Sequence, residues 1–94
     1  MEISSEKSLE ITEAAKRGFA PSDIAIMIEI PKAAFKKEMQ KEDSPIWTAY
    51  MKGLLQGEFD LWKEIERLAL LGSSPAQTLM QKRFEDVRMK LIER

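Results

Sequence analysis

The sequence predicts an all-α protein: three short helices followed by a long antiparallel helical hairpin. Three observations carry that expectation. Apolar residues recur at helical spacing along the chain, with no strand-like alternation. Four Gly and four Pro sit at readable positions, and Gly18, Gly72 and the prolines mark defined breaks. Two Ser-Pro pairs, Ser44-Pro45 and Ser74-Pro75, have the form of an N-cap followed by a first helical residue.

The elements follow in order. A first helix is predicted from Ser8 or Ser5 to Arg17, with Leu9, Ile11, Ala14 and Ala15 as apolar content and Gly18 as its stop. Ser22 reads as the N-cap of a second, short helix, Asp23 to Ile28. Its apolar residues Ile24, Ala25, Met27 and Ile28 lie on most sides, which predicts near-complete burial. A third helix runs from Pro31 or Lys32 to Lys41. After the break at Glu42-Asp43-Ser44, nothing stops a fourth helix from Pro45 to Leu71. At 1.5 Å per residue it is about 40 Å long. Gly72 then ends it, and Ser74 with Gln77 forms a Ser-x-x-Gln capping box for a last helix reaching about Ile92. The chain therefore divides into residues 1–43 and residues 44–94, with Ser44-Pro45 as the hinge.

Composition excludes several kinds of chemistry. With no Cys there is no disulfide, thiolate metal site or cysteine nucleophile, and with no His the commonest general base and metal ligand is missing. Glu64 and Glu66 do not share a helix face, Glu58 lacks the partner of a catalytic dyad, and no Gly-rich phosphate loop is present. Glu85 and Asp86 sit among Lys82, Arg83, Arg88 and Lys90 and read as surface ion pairs. The expectation is a protein that is not an enzyme and uses no cofactor or metal. No apolar run approaches the ~20 residues of a membrane span, and the polar, acidic start MEISSEKSLE is unlike a secretory signal. A cytoplasmic location without membrane contact is expected.

Fifteen basic and sixteen acidic side chains give a net charge of −1. That sum argues against bulk nucleic-acid affinity, so any basic surface must come from how charges sort between helix faces. The first three helices have the spacing of a helix-turn-helix. Ala25 is the small residue that allows close helix crossing, Ile24 and Ile28 flank it, Ile30 lies in the bend and Phe35 closes the core. Glu29 stands where the bend usually takes a left-handed Gly, at a cost of roughly 1 kcal/mol. On a wheel of 100° per residue with Phe35 at zero, Met39 falls at about 40° and Lys37 at about 200°. The outward face is then Ala33, Lys36, Lys37, Gln40 and Lys41, without a carboxylate, and Lys32 at the helix start joins them as a candidate DNA contact. Lysines serve phosphates, and Gln and short residues suit base edges. The same face also reads as ordinary solvated lysines.

The second part carries surplus apolar surface. Trp47, Met51, Leu54, Leu61, Trp62, Ile65 and Leu68 form a broad stripe on the long helix, and Tyr50, Leu55 and Phe59 lie off it. One antiparallel partner cannot cover several sides of a helix. The expected remedy is self-association through Trp47, Leu54, Leu55, Phe59 and Trp62, or else compact folding of all five helices. Gly53 and Gly57, four apart, offer a flat strip for close helix approach, a bend point, or merely tolerated glycines.

Residues from about Thr12 to Glu93 resemble the small subunits of phage terminases and related phage packaging proteins. The resemblance lies in Ala20-Pro21-Ser22-Asp23-Ile24-Ala25, the lysine-bearing helix with Phe35, Asp43-Ser44-Pro45 with Tyr50 and Gly53 beyond, and Gly72-Ser73-Ser74-Pro75-Ala76-Gln77. It implies an N-terminal helix-turn-helix that binds double-stranded viral DNA near the packaging start. It also implies a hairpin that assembles subunits into a homo-oligomer. Such a subunit has no nuclease activity and hands DNA to a large terminase subunit carrying the ATPase and nuclease, in the host cytoplasm. Other readings of the same residues are a helix-turn-helix transcriptional regulator and a helical protein-interaction module that binds no DNA.

Overall fold

The computed structural model describes residues 1–93, and the side chains of residues 1–92. Arg94, the last residue of the predicted hairpin, lies outside the described residues. Among them there are five helices and no strand: α1 (Ser5–Lys16), α2 (Pro21–Met27), α3 (Lys32–Met39), α4 (Pro45–Leu70) and α5 (Ser74–Glu93). The chain separates into two compact units, Met1–Glu58 and Phe59–Arg94, so the division falls within α4.

In the first unit the helix ends follow from backbone chemistry. Ser4 caps α1, its Oγ accepting the Lys7 N–H at 3.1 Å. Gly18, at φ +87°, closes it, with the Phe19 N–H on the Ala14 carbonyl and the Gly18 N–H on that of Ala15. The α2 start differs from expectation. Ala20 is the N-cap and makes no side-chain cap bond, while Pro21 takes the first turn, where its missing N–H costs nothing and its φ is already helical. Ser22, the expected cap, therefore lies inside the helix. Near-complete burial of α2 is also corrected. Ile24, Ala25 and Ile28 are buried, but Ile26 and Met27 are exposed. α2 ends with the same double closure as α1, from the Ile30 N–H to the Ala25 carbonyl and from the Glu29 N–H to that of Ile26. Glu29 does occupy the left-handed region, at φ +60°, in the place glycine takes after α1. α3 stops at Met39 with Gln40 as C-cap, so Lys41 stands beyond the helix. Asp43, at φ +68°, turns the chain into α4. Ser44 caps α4 as expected, its Oγ accepting the Trp47 N–H at 3.1 Å while its hydroxyl donates to the Glu38 carbonyl at 2.8 Å.

The core of this unit joins Ile11, Ala14 and Ala15 of α1 to Ile24, Ala25 and Ile28 of α2 and Phe35 of α3. α4 contributes Ile46, Ala49 and Tyr50. Its buried face is thus not the predicted stripe. Ile46, Ala49, Tyr50 and Gly53 turn inward, and Trp47, Met51 and Leu54 are only half-buried. Small residues decide this, because they let α1 come against the α4 backbone. A Cβ at Gly53 would overlap the Thr12 carbonyl, and one at Gly57 the Lys16 carbonyl. The two glycines are a close-approach strip used within the chain. The Thr12 hydroxyl adds a bond to the Ala49 carbonyl at 3.1 Å, and the Tyr50 hydroxyl donates to the Phe19 carbonyl at 3.0 Å. Burial raises the Tyr50 pKa, so the phenol stays a donor.

In the second unit, Gly72 at φ +103° ends α4. The Ser73 N–H bonds the Leu68 carbonyl and the Gly72 N–H that of Ala69. α5 runs back beside α4, with the Gln77 amide donating to the Ala69 carbonyl at 3.0 Å and the Arg83 guanidinium over the Trp62 ring at 5.2 Å. The predicted Ser74–Gln77 capping box is not formed: the serine cap moves one residue back, and the Gln77 amide goes to the Ala69 carbonyl instead. Ser73 accepts from the Ala76 N–H at 3.3 Å, and Ser74 is already helical. The cause is the closure after Gly72, which uses the Ser73 N–H and leaves its Oγ beside the α5 amides. Ser73→Ala is expected to cost about 1 kcal/mol, the worth of a serine cap. Ser74→Ala is expected to stay within about 0.5 kcal/mol. Denaturant melts of the two variants check the order.

Candidate nucleic-acid interface

The predicted recognition residues lie on the first unit. Lys32, Ala33, Lys36, Lys37 and Gln40 are all exposed on α3 or at its C-cap, while Phe35 of the same helix is buried beneath them. α3 is short, and two things fix its rotation. Phe35 is sunk into the core, and the Ile30 N–H is held by Ala25, which sets the bend before the helix. The outward arc is then free for the lysines.

Lys41 stands apart from the rest. Its Nζ lies 2.9 Å from Oε2 of Glu38, whose side chain is only 4% exposed. The other oxygen, Oε1, accepts from the N-terminal ammonium of Met1 at 2.6 Å. With Phe35 at zero on a wheel of 100° per residue, Glu38 falls at about −60°, toward the core side or its edge, and the structure gives it two cations there. Lys41 first, then the terminal ammonium, hold its pKa down to about 2. The sequence sign for this was the Glu38-Lys41 spacing of three, a surface-pair pattern that says nothing about burial. Lys41 is therefore mostly occupied at home, and Lys32, Lys36 and Lys37 carry the outward charge.

The lowered pKa has a pH consequence. Glu38 stabilises the folded chain fully above its unfolded value near 4.5, and that contribution is lost as pH falls toward about 2. Glu38→Gln is expected to destabilise the protein at pH 6, with the gap to wild type closing between about pH 4.5 and about 2. Denaturant melts at several pH values check it. A gap that stays constant with pH would show that the ion pairs are not its source.

Beside the lysines the same surface has an apolar cleft of about 450 Å3, between the first turn of α2 and the flank of α3. Pro21, Ser22, Ala33, Phe35 and Met39 line it, together with Lys32, Lys36 and Gln40. The sequence reading missed it, because a cleft between two helices depends on their crossing geometry rather than on spacing along either one.

The residues expected at an oligomer interface fall in different settings. In the first unit Trp47 and Leu54 are half-buried, Leu54 packing against the core, and Leu55 is exposed. In the second unit Trp62 is half-covered by Arg83, and Phe59 is 66% exposed. Phe84, Val87 and Leu91 of α5 are exposed as well. Among the described residues, no group of three or more His, Cys, Asp or Glu is placed to hold a metal ion, and no helix is long and apolar enough to cross a membrane. Comparison with protein-family models, with curated proteins and with solved structures found no match.

Proposed function

We propose that the chain is a non-enzymatic DNA-binding subunit. In this reading α1–α3 form a helix-turn-helix with α3 as the recognition helix, and the α4–α5 hairpin joins copies into a homo-oligomer. The observation that carries it is the outward face of α3. Lys32, Lys36 and Lys37 stand there with Ala33 and Gln40, and the helix's one carboxylate, Glu38, is buried on the other side and already neutralised. The face thus combines phosphate-seeking charge with short and amide side chains for base edges. The bend supports the same reading: Ala25 is fully buried at the crossing of α2 and Glu29 is left-handed. With a chain charge of −1, a single copy binds weakly, and several heads on one assembly raise affinity by avidity. The role that fits best is the one implied by the resemblance to small terminase subunits, recognition of viral DNA and its delivery to a large packaging ATPase and nuclease.

Replacing Lys36 and Lys37 together by Ala tests this. Fluorescence anisotropy with a labelled duplex, from about 50 to about 200 mM salt, is expected to show weaker binding and a salt slope smaller by up to about 2. Helical content should not change, because neither side chain enters the core. Binding equal to wild type would remove α3 as the contact surface.

A further inference from the structure

The apolar cleft beside the lysines is an odd feature for a surface that would meet phosphates. Pro21, Ala33, Phe35 and Met39 line it, and no carboxylate does. Lys32 and Lys36, both exposed on α3, line it as well and bring positive charge to its surroundings. An apolar group carried on a negatively charged body suits such a lining. The DNA major groove presents one apolar group, the C5-methyl of thymine, between two rows of phosphates. Gln40 lines the same cleft. A side-chain amide there can donate to N7 and accept from the N6 amino group of adenine, the base paired with thymine.

We propose that this cleft receives thymine methyl groups, so that the α3 face favours A·T-bearing duplex over G·C. The proposal rests on the DNA-binding reading and adds a base preference to it. Lys32 and Lys36 hold the flanking phosphates, the cleft takes the methyl, and Gln40 reads the adenine. Ala33, exposed on α3 at the mouth, is short enough to leave the entrance open.

The test isolates the methyl. Wild-type protein is titrated by anisotropy with four short duplexes: alternating A·T, the same with uracil for thymine, alternating G·C, and the same with 5-methylcytosine. Each docked methyl is expected to be worth about fourfold in affinity. Uracil should therefore weaken binding and 5-methylcytosine should strengthen it. Ala33→Gln, which keeps a good helix former at an exposed site, should bring the thymine-to-uracil ratio close to one. Equal affinity for thymine and uracil duplexes would overturn the proposal and leave DNA binding standing. A ratio that survives in Ala33→Gln would also overturn it, because the methyl would be read elsewhere. No binding to any of the four would overturn both readings.

Discussion

Purified protein is expected to migrate as a multiple of its 10.8 kDa chain mass, and Phe59→Asp should reduce that multiple with helicity retained. The reason is the composition of the second unit's surface. Among its described residues only Ala76 is buried, while Phe59, Leu61, Phe84 and Leu91 are each more than half exposed. Burying one such side chain contributes roughly 1.5–3 kcal/mol. Several of them, matched by an equal set on a second copy, reach the range of association costs, about 4–15 kcal/mol. Two helices alone have no third element to cover the flanks of their own seam. Phe59 is the sharpest probe, since it is 66% exposed and its replacement disturbs little inside one chain. Leu55→Asp, on the exposed side of α4 in the first unit, should act in the same direction. Light scattering coupled to size exclusion reads the mass directly. A peak at the chain mass, unchanged on tenfold concentration, would contradict self-association.

The second large effect is expected inside the chain. Gly53→Ala should destabilise the protein by about 1–3 kcal/mol or more, although alanine is the better helix former by about 1 kcal/mol. The new methyl would meet the Thr12 carbonyl, which is backbone and cannot rotate away, so α1 must move off α4. That shift also breaks the bond from the Thr12 hydroxyl to the Ala49 carbonyl. Gly57→Ala should act in the same direction through the Lys16 carbonyl. Thermal melts followed by circular dichroism compare both with wild type. A rise in stability, with propensity winning, would mean that α1 and α4 are not in backbone contact.

Much of this was legible in the sequence where local chemistry decides the outcome. Gly18, Ser44 and Gly72 end or begin helices through their own backbone or side chain, and the structure uses each as read. The helix-turn-helix spacing marks Ala25 on α2 and Phe35 on α3 as core residues, and both are buried. Reading stopped where two elements must meet. The buried face of α4 departs from the expected stripe because contact does not follow the largest side chains, Trp47 and Leu54. Contact was set instead by the smallest, Ala49, Gly53 and Gly57, which let α1 approach. The cap of α5 moved from Ser74 to Ser73 because two serines compete, and the closure after Gly72 decides between them. Periodicity turns Glu38 toward the core side of α3, but it does not show what neutralises a carboxylate there. Its burial depends on cations brought from the chain start and from beyond α3, which no periodicity reveals.

The proposed contact of the α3 face with DNA can be observed directly. Its most direct measurement is a titration of isotopically labelled protein with a short duplex, followed residue by residue through backbone amide shifts. The largest changes are expected at the start of α2 and along α3, at Pro21's neighbours, Lys32, Ala33, Lys36, Lys37 and Gln40. They should fade as salt is raised. Spectra that do not change on adding duplex, or changes confined to α4 and α5, would contradict it.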